Sequence, residues 1–421
     1  MPQKTVLTDK LRFVTKHLDN TQSVTVLVLV GAGSRYETKK LNGISHFLEH
    51  MFFKGAEKYK NAKEVSEAID SVGGDFNAFT GKEYVGYYVK VASRHQDVAL
   101  DVISDMLLHS RFDTHEIDKE RGVIMEEYNM YQDTPMYQVG WDFEKLLYGD
   151  QPMGWDQIGT KELIQTVTRE NFQEYQRKLY TPENTVVAIA GDVQHSSAAK
   201  AVEKLFQFEI KKKSGVYAPL EKNDSTERVH LTHKKTEQAH VVVGFPAYNE
   251  GHADHYIEKV LSVILGGGMS SRMFLAVREA KGLAYYIQTS TDDYMDSGVI
   301  STRAGVDVKR IKDAISAIVE EYKKIRGESV EEKELTKAKE YIKGKLVLRL
   351  EDSEEYAHLI AKHELLHNQI KTPEEIQKAV DSVTVDDVAR ISENLFDEKK
   401  LYAAIIGPYE DKSEFASLLH Y

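Results

Sequence analysis

Residues 44–53 read ISHFLEHMFF and combine an apolar stripe with two histidines and one glutamate. The apolar members recur at the i, i+3, i+4, i+7 and i+8 spacing of a helix that turns one face toward a core. They are Ile44, Phe47, Leu48, Met51 and Phe52. On such a helix His46 and His50, four positions apart, project from the other side with Glu49 between them. The stretch therefore predicts a short amphipathic helix whose polar face can hold one metal ion.

The alternative is that this polar face simply meets water, as histidines at helical spacing often do. Phe53 argues against that alternative. If the helix continues to this residue, Phe53 projects among His46, Glu49 and His50, and a large aromatic side chain is unusual on a plain solvated face. We therefore favour a metal site over a solvated helix.

A tetrahedral catalytic zinc needs three protein ligands and one open position. The chain has no cysteine, so the missing ligand must be a histidine or a carboxylate. In the helical segment 116–131, Glu120 and Glu127 are seven positions apart and share one face. That face also carries Val123, Ile124 and Tyr131. Carboxylates on such a face are costly unless they are paired or bound to a cation. Because Glu126 points away from this face, we choose Glu127 as the third ligand.

Composition limits the class of protein. A chain of 421 residues exceeds what one hydrophobic core usually fills, so two or more domains are expected. A net charge of -12 disfavours a nucleic-acid partner, which would require clustered basic residues. The N-terminal sequence has no apolar segment of signal-peptide length, and no run of about 18 apolar residues occurs. We expect a cytoplasmic protein that has no membrane partner.

The two halves of the chain follow the same plan, which indicates an internal duplication. Residues 167–172 and 188–191 recur 216 positions later as residues 383–388 and 404–407. A polar stretch from Lys211 to Arg228 separates the halves and has the composition of a linker. We predict a metal-binding domain at residues 1–220 and a homologous domain without metal at residues 221–421.

The pattern within each half favours the α+β class. β-Branched runs at residues 23–30 and 240–243 predict strands, and residues 11–18 precede the first run across a turn signal at Asp19 and Asn20. We expect these two segments to form a hairpin. Helix-period stretches lie at residues 98–109 and 308–324. Each domain is therefore predicted to be a mostly antiparallel sheet covered by helices.

These residues resemble the inverted-motif zinc proteases, the family of pitrilysin, insulin-degrading enzyme and mitochondrial processing peptidase. The resemblance rests on the H-x-x-E-H arrangement of residues 46–50 and on the 76 residues that separate His50 from Glu127. Further matches span nearly the whole chain. They are residues 73–80 (GGDFNAFT), 159–160 (GT), 180–184 (YTPEN) and 266–272 (GGGMSSR). Size and the double domain resemble the smaller, bacterial, processing-peptidase-like branch.

The resemblance implies a zinc-dependent endopeptidase that holds one Zn²⁺ per chain. By this resemblance His46, His50 and Glu127 are the zinc ligands, Glu49 is the general base, and Glu120 supports the ligands from behind. The expected substrates are unfolded peptides or presequence-like segments. The main alternative is a catalytically silent partner subunit of the same fold, although the ligands and the base are all present here.

Further roles are implied by the resemblance alone. Substrate would bind in extended form along Asn77, Ala78 and Phe79, at the edge of a sheet. Arg278 would hold the substrate and Tyr285 would stabilise the oxyanion, reaching the zinc of the other subunit in a homodimer with shared active sites. From the residues alone, a surface arginine and a half-buried tyrosine are the simpler interpretation.

A second zinc-like string, HELLH at residues 363–367, matches a different class of zinc protease. In the repeat it aligns with residues 144–148 (EKLLY), which contain no ligand set, so we expect a structural role. The first half's own motif aligns with residues 255–259. There Lys259 stands opposite His50, and a charged ammonium has no lone pair for a metal.

Overall fold

The structure is a computed structural model that describes residues 1–209 and 212–420. Lys211, the first residue of the predicted linker, lies outside these residues, as do Ile210 and Tyr421. The chain forms two compact units, and it passes from the first to the second three times, after Asn129, after Ala218 and after Thr372. The first unit consists of Met1–Asn129, Trp155–Ala218 and Val347–Thr372, and the second of Met130–Gly154, Pro219–Leu346 and the residues from Pro373 onward.

A six-stranded sheet forms the centre of the first unit. Its strands are β1 (Gln3–Val6), β2 (Arg12–His17), β3 (Ser23–Val30), β4 (Asp75–Thr80), β5 (Val85–Ala92) and β6 (Thr185–Gly191). They lie in the order β1-β2-β6-β3-β5-β4. Only the β2 and β6 pair is parallel. The sheet therefore ends at β4, whose outer edge carries no strand of this sheet.

The predicted hairpin between residues 11–18 and 23–30 is wrong. Both strands and the turn at Asp19 and Asn20 are present, but β6 lies between β2 and β3 and pairs with both. The reason is that β6 is buried along its whole length, so it needs an interior position in the sheet. A turn signal shows where the chain reverses and does not show which strand becomes the neighbour.

The second unit repeats this arrangement. Its strands are β7 (Val229–His233), β8 (Gln238–Ala247), β9 (Ala284–Asp293), β10 (Gly298–Asp307) and β11 (Tyr402–Gly407). The order β7-β11-β8-β10-β9 reproduces β2-β6-β3-β5-β4, and here too only the first pair is parallel. The predicted α+β fold, with two homologous domains built on mostly antiparallel sheets, is confirmed.

Helices cover the two sheets. Those of the described residues are α1 (Ile44–Phe52), α2 (Ala62–Asp70), α3 (Gln96–Leu108), α4 (Thr114–Asp133), α5 (Pro135–Tyr148), α6 (Lys161–Thr166), α7 (Arg169–Leu179), α8 (His195–Leu205), α9 (His255–Gly266), α10 (Ile311–Gly327), α11 (Glu332–Arg349), α12 (Ser353–His367), α13 (Pro373–Asp381), α14 (Val385–Leu395) and α15 (Ser413–Ala416). The helices predicted at residues 98–109 and 308–324 are α3 and α10. None of these helices combines the length and the apolarity needed to cross a bilayer.

The clearest sequence repeat corresponds to a repeated helix start. Thr168 precedes α7 and Thr384 precedes α14, and each forms a capping box with the residue three positions later, Asn171 or Asp387. The threonine hydroxyl accepts a backbone N–H, and the partner side chain accepts the backbone N–H of the threonine. Local chemistry thus explains why these two segments still resemble each other.

Two equivalent helices are exchanged between the halves of the sequence. Helix α5 comes from the first half but belongs to the second unit, where it packs on β11 and β8. Helix α12 comes from the second half but belongs to the first unit, where it packs on β3, β6 and β2. Each compact unit is therefore built from both halves of the sequence. The boundary between the repeats at residue 220 stays a prediction.

Helix α12 carries the HELLH string, and its glutamate has a structural environment. Glu364 is fully buried, and its Oε1 lies 2.7 Å from Lys4 Nζ and 3.8 Å from a guanidinium nitrogen of Arg12. The rings of His363 and His367 lie 6.5 Å apart, and no third potential ligand joins them within the described residues. Glu364 thus ties α12 to the first two strands.

We predict that Glu364→Ala lowers the free energy of unfolding by about 3 kcal/mol, because removal of one partner leaves the charges of Lys4 and Arg12 without their carboxylate. Denaturant titration measures the change, and Glu351→Ala, at an exposed position just before α12, is the control. Zinc content should stay at the wild-type level in both variants. The HELLH string is tested by His363→Ala, because the histidines of such a motif are the ligands, and a loss of zinc in that variant would make the string a metal site.

Candidate metal centre

Helix α1 positions two of the predicted ligands. It begins after Gly43, which has a positive φ of 104°, and the buried carboxylate of Glu37 accepts hydrogen bonds from the backbone N–H groups of Gly43 (2.7 Å) and Ser45 (2.9 Å). This carboxylate satisfies N–H groups that the first turn leaves without helical partners. The predicted apolar stripe is buried throughout. The prediction of an amphipathic helix at this place is confirmed.

The polar face of α1 is enclosed to a large extent. The side chains of His46 and His50 are only 14% and 21% exposed. Phe53 lies just beyond the end of α1, and its ring packs against Phe76 of β4 with a centroid distance of 5.5 Å. The alternative of a plain solvated face is therefore wrong.

Helix α4 brings Glu127 to the two histidines. Glu127 Oε1 lies 3.5 Å from His46 Nε2, and Oε2 lies 3.4 Å from His50 Nε2. Within the described residues, this is the one group of three side chains whose ligand atoms converge in this way. Glu126 is exposed, as its helical position predicts. Val123 was expected on the same face as Glu127, but it is 52% exposed.

The donor set fits a zinc ion. Two atoms that each lie 2.0–2.1 Å from a tetrahedral zinc are roughly 3.3 Å apart, close to the observed distances between the carboxylate and the two imidazoles. Two imidazoles and one carboxylate are a usual ligand set for catalytic zinc, and they leave one position open. His46, His50 and Glu127 would hold the ion.

Glu120 stabilises His50 from behind. Its Oε1 lies 2.8 Å from His50 Nδ1, and its Oε2 lies 2.6 Å from the ammonium group of Lys54. A proton on Nδ1 that points to Glu120 leaves the Nε2 lone pair free to face a metal. Lys54 was not among the residues predicted for the site. Its position four residues after His50 was the available signal.

The charged groups shift one another's titration. Burial by itself lowers the pKa of His50, but the carboxylates of Glu120 and Glu127 outweigh burial and raise this pKa to about 9. Burial raises the pKa of Glu127, yet its hydrogen bonds to His46 and His50 outweigh burial and hold this pKa well below its usual range. Without a metal, the site therefore carries a protonated His50 at neutral pH.

Glu49 lies beside the ligands and is held by β4. The hydroxyl of Thr80 donates a hydrogen bond of 2.6 Å to Glu49 Oε2. Burial raises the pKa of Glu49, and this effect exceeds the opposite effects of Thr80 and the two histidines. Thr80 was quoted in the GGDFNAFT match, but no role was predicted for it.

The other predicted residues lie on β4 and in the second unit. Asn77, Ala78 and Phe79 are on β4, the edge strand next to α1. Arg278 lies in the short π-helix Phe274–Glu279, with its guanidinium 4.7 Å from the Phe274 ring. Tyr285 lies on the edge strand β9 and is 74% exposed, so the interpretation of a half-buried tyrosine is wrong.

The position equivalent to His50 in the second unit carries an ion pair. Lys259 contacts the side chains of Thr291 and Asp293 on β9, and His255 Nδ1 lies 3.9 Å from the same aspartate. The ammonium group of Lys259 thus lies beside a histidine and a carboxylate, two kinds of side chain that bind the metal in the predicted site of the first unit.

The duplicated α+β fold and the convergence of two histidines and a glutamate define a two-domain protein with an inverted zinc motif. The model of the insulinase family, peptidase family M16, matches residues 12–150, and the model of the M16 inactive domain matches residues 166–342. The chain belongs to peptidase family M16, and its resemblance to the inverted-motif zinc proteases is confirmed.

Relatives of similar length support this assignment. The uncharacterized zinc protease YmxG of Bacillus subtilis is 40% identical over 398 residues, which cover 94% of this chain and 96% of that protein. An uncharacterized zinc protease of Streptomyces coelicolor is 35% identical over 424 residues, covering 99% and 92%. A protease from Helicobacter pylori shares the fold, with a TM-score of 0.89 at 24% identity over 97% of this chain and 100% of that one.

We predict that Glu127→Gln purifies with far less than one zinc per chain, because the amide replaces the only anionic ligand of the set. The matched control is Glu126→Gln, which makes the same change at the exposed neighbouring position. Zinc is measured by elemental analysis after dialysis against a weak chelator. Equal zinc in the two variants would contradict the choice of Glu127.

We also predict that the zinc affinity of the metal-free protein increases with pH up to about pH 9. His50 must lose its proton to bind zinc, and its pKa is raised to about 9, so the dissociation constant should fall about tenfold per pH unit below that value. Chelator competition between about pH 7 and pH 9 measures this dependence. An affinity that is constant over this interval would contradict the protonated state of His50.

Proposed function

We propose that this protein is a zinc-dependent endopeptidase that hydrolyses unfolded peptides or presequence-like segments. The observation that carries the proposal is the placement of Glu49. This carboxylate lies on the same helix as two metal ligands, and Thr80 orients it from the strand that forms the edge of the sheet. Ligands, base and an open strand edge therefore meet at one place.

Substrate binding follows from the position of β4. An edge strand has backbone N–H and C=O groups that a partner strand of the sheet does not use, and an extended peptide can pair with them. Residues Asn77, Ala78 and Phe79 would form these hydrogen bonds. Main-chain pairing recognises extended backbone rather than a particular sequence, which supports unfolded peptides as the substrate class.

The chemistry is divided between the metal and the chain. When bound, zinc lowers the pKa of water toward neutrality and polarises the scissile carbonyl. Glu49 removes a proton from the attacking water and delivers it to the leaving amine. Burial raises the pKa of Glu49, which makes its carboxylate a stronger base toward the attacking water.

Arg278 and Tyr285 are proposed to complete the site from a second copy of the chain. Arg278 would hold the substrate backbone or a carboxylate, and Tyr285 would stabilise the oxyanion. The high exposure of Tyr285 leaves its hydroxyl available to a ligand. A homodimer with shared active sites is therefore part of the proposal.

The alternative is a catalytically silent subunit that keeps the fold. The presence of His46, His50, Glu127 and Glu49 disfavours it, because a subunit without catalytic function has no need for a base beside a ligand set. Zinc content together with hydrolysis of a quenched fluorescent peptide distinguishes the two. A silent subunit hydrolyses nothing, with or without chelator.

We predict that Glu49→Gln retains zinc and peptide binding but loses turnover by about 10²–10⁴-fold, the usual contribution of a general base. The measurements are zinc content, kcat on a quenched fluorescent peptide and peptide affinity by anisotropy. Thr80→Val, which keeps the shape and removes the hydroxyl that orients Glu49, should lower kcat less and leave zinc unchanged. Full activity in Glu49→Gln would remove Glu49 from the role of base.

We predict that a mixture of His50→Ala and Tyr285→Phe regains activity after exchange of subunits. In mixed dimers one site has an intact metal centre and an intact tyrosine, so about a quarter of wild-type activity is expected for random pairing. The control mixes His50→Ala with Glu49→Gln, where no dimer contains an intact metal centre and base. No recovery in the first mixture would argue against shared sites.

A further inference from the structure

Strand β4 directs its alternate side chains to two different neighbours. On one face, Thr80 donates to Glu49 and Phe76 packs against Phe53, both beside α1. On the other face, the Phe79 ring lies against His358 of α12, with a centroid distance of 5.0 Å and planes inclined by 34°. Strand β4, which is proposed to bind the substrate, thus packs on its second face against α12, a helix from the second half of the sequence.

The Phe79 ring occupies a defined place, which we call the Phe79 seat and which consists of Phe79, Tyr84, Gly86 and His358. Gly86 pairs with Phe79 across β4 and β5, and a Cβ atom on Gly86 would come within 2.2 Å of Phe79 Cζ. The Phe79 ring therefore packs over Gly86, where any larger residue would clash with it. The Tyr84 ring meets the Phe79 ring at a centroid distance of 6.1 Å in an edge-on arrangement, and the His358 ring lies 5.0 Å from it.

Helix α12 is itself held firmly against the sheet. Ser353 forms a buried hydrogen bond of 2.8 Å with Thr25 of β3, and Asp352 accepts one of 2.7 Å from Lys90 of β5. At the other end of α12, Glu364 pairs with Lys4 and Arg12. Burial lowers the pKa of His358, so its ring is a neutral aromatic surface at neutral pH. His358 therefore projects from a fixed support.

We propose that His358 is a positioning residue that holds the outer edge of β4 in place for the substrate through the Phe79 seat. The inference rests on the proposed function, in which an extended peptide pairs with β4. An edge strand is stabilised by one neighbouring strand only, so the packing of its side chains decides how well its free backbone groups are aligned. Helix α12, which carries the HELLH string, thereby helps to position the strand that binds the substrate.

The test compares His358→Leu, which removes the ring and keeps buried volume, with His358→Phe, which restores an aromatic ring. His363→Ala replaces another half-buried histidine of the same helix and serves as the control. His358→Leu should raise KM for a quenched fluorescent peptide about three- to tenfold, the range that the loss of an aromatic pair gives. Because Thr80 keeps its bond to Glu49, kcat should change less than KM, and zinc content should not change. His358→Phe and His363→Ala should both keep the wild-type KM.

A second measurement separates this inference from the proposed function. Hydrogen exchange of the backbone amides of residues 75–80 should be faster in His358→Leu than in wild type, and unchanged in His358→Phe and His363→Ala. If wild type hydrolyses peptide while His358→Leu keeps its KM and its protection, the inference is overturned and the proposed function survives. If wild type hydrolyses nothing while protection is still lost in His358→Leu, the proposed function fails and the support of β4 by His358 stands.

Discussion

The concentration of charge beside α1 is the constraint on which the arrangement of the first unit depends. Glu49, Glu120 and Glu127 are all partly or largely buried within one region, and carboxylates in such surroundings require cations nearby. Without a metal, the protonated His50 and Lys54 supply that positive charge. A bound zinc ion would take the place of the proton on His50 and supply this positive charge instead. The same side chains are therefore stable without the metal and already arranged to receive it.

Strand β4 connects this centre to the rest of the first unit. Through Thr80 it orients Glu49, and through Phe79 it rests on His358 of α12. A strand at the edge of a sheet has a partner on one side only, so packing on its two faces limits its movement. The base and the proposed binding edge consequently depend on one element.

Local patterns predicted the features that local physics determines. The apolar stripe of α1 follows from helical periodicity, and so does the choice of Glu127 over Glu126. The two capping boxes join residues three positions apart and follow from equally local chemistry, although we did not predict them. The neighbour of β2 and the exchange of α5 and α12 could not be predicted this way, because they depend on which distant segments pack together. The role of Thr80 could not be predicted for a related reason. Its partner Glu49 is 31 positions away, and no spacing rule joins a strand to a helix across that distance.

One replaced residue distinguishes the predicted metal centre of the first unit from the ion pair at the equivalent place in the second unit. They share one order of strands, and His255 and Glu258 occupy the places of His46 and Glu49. Lys259 replaces His50, and its ammonium neutralises Asp293 without any metal. Burial raises the pKa of Glu258 to about 8, so at neutral pH this glutamate is mostly protonated and cannot serve as a base. One cationic side chain thus neutralises Asp293 in the second unit, at the position where the first unit has the predicted metal ligand His50.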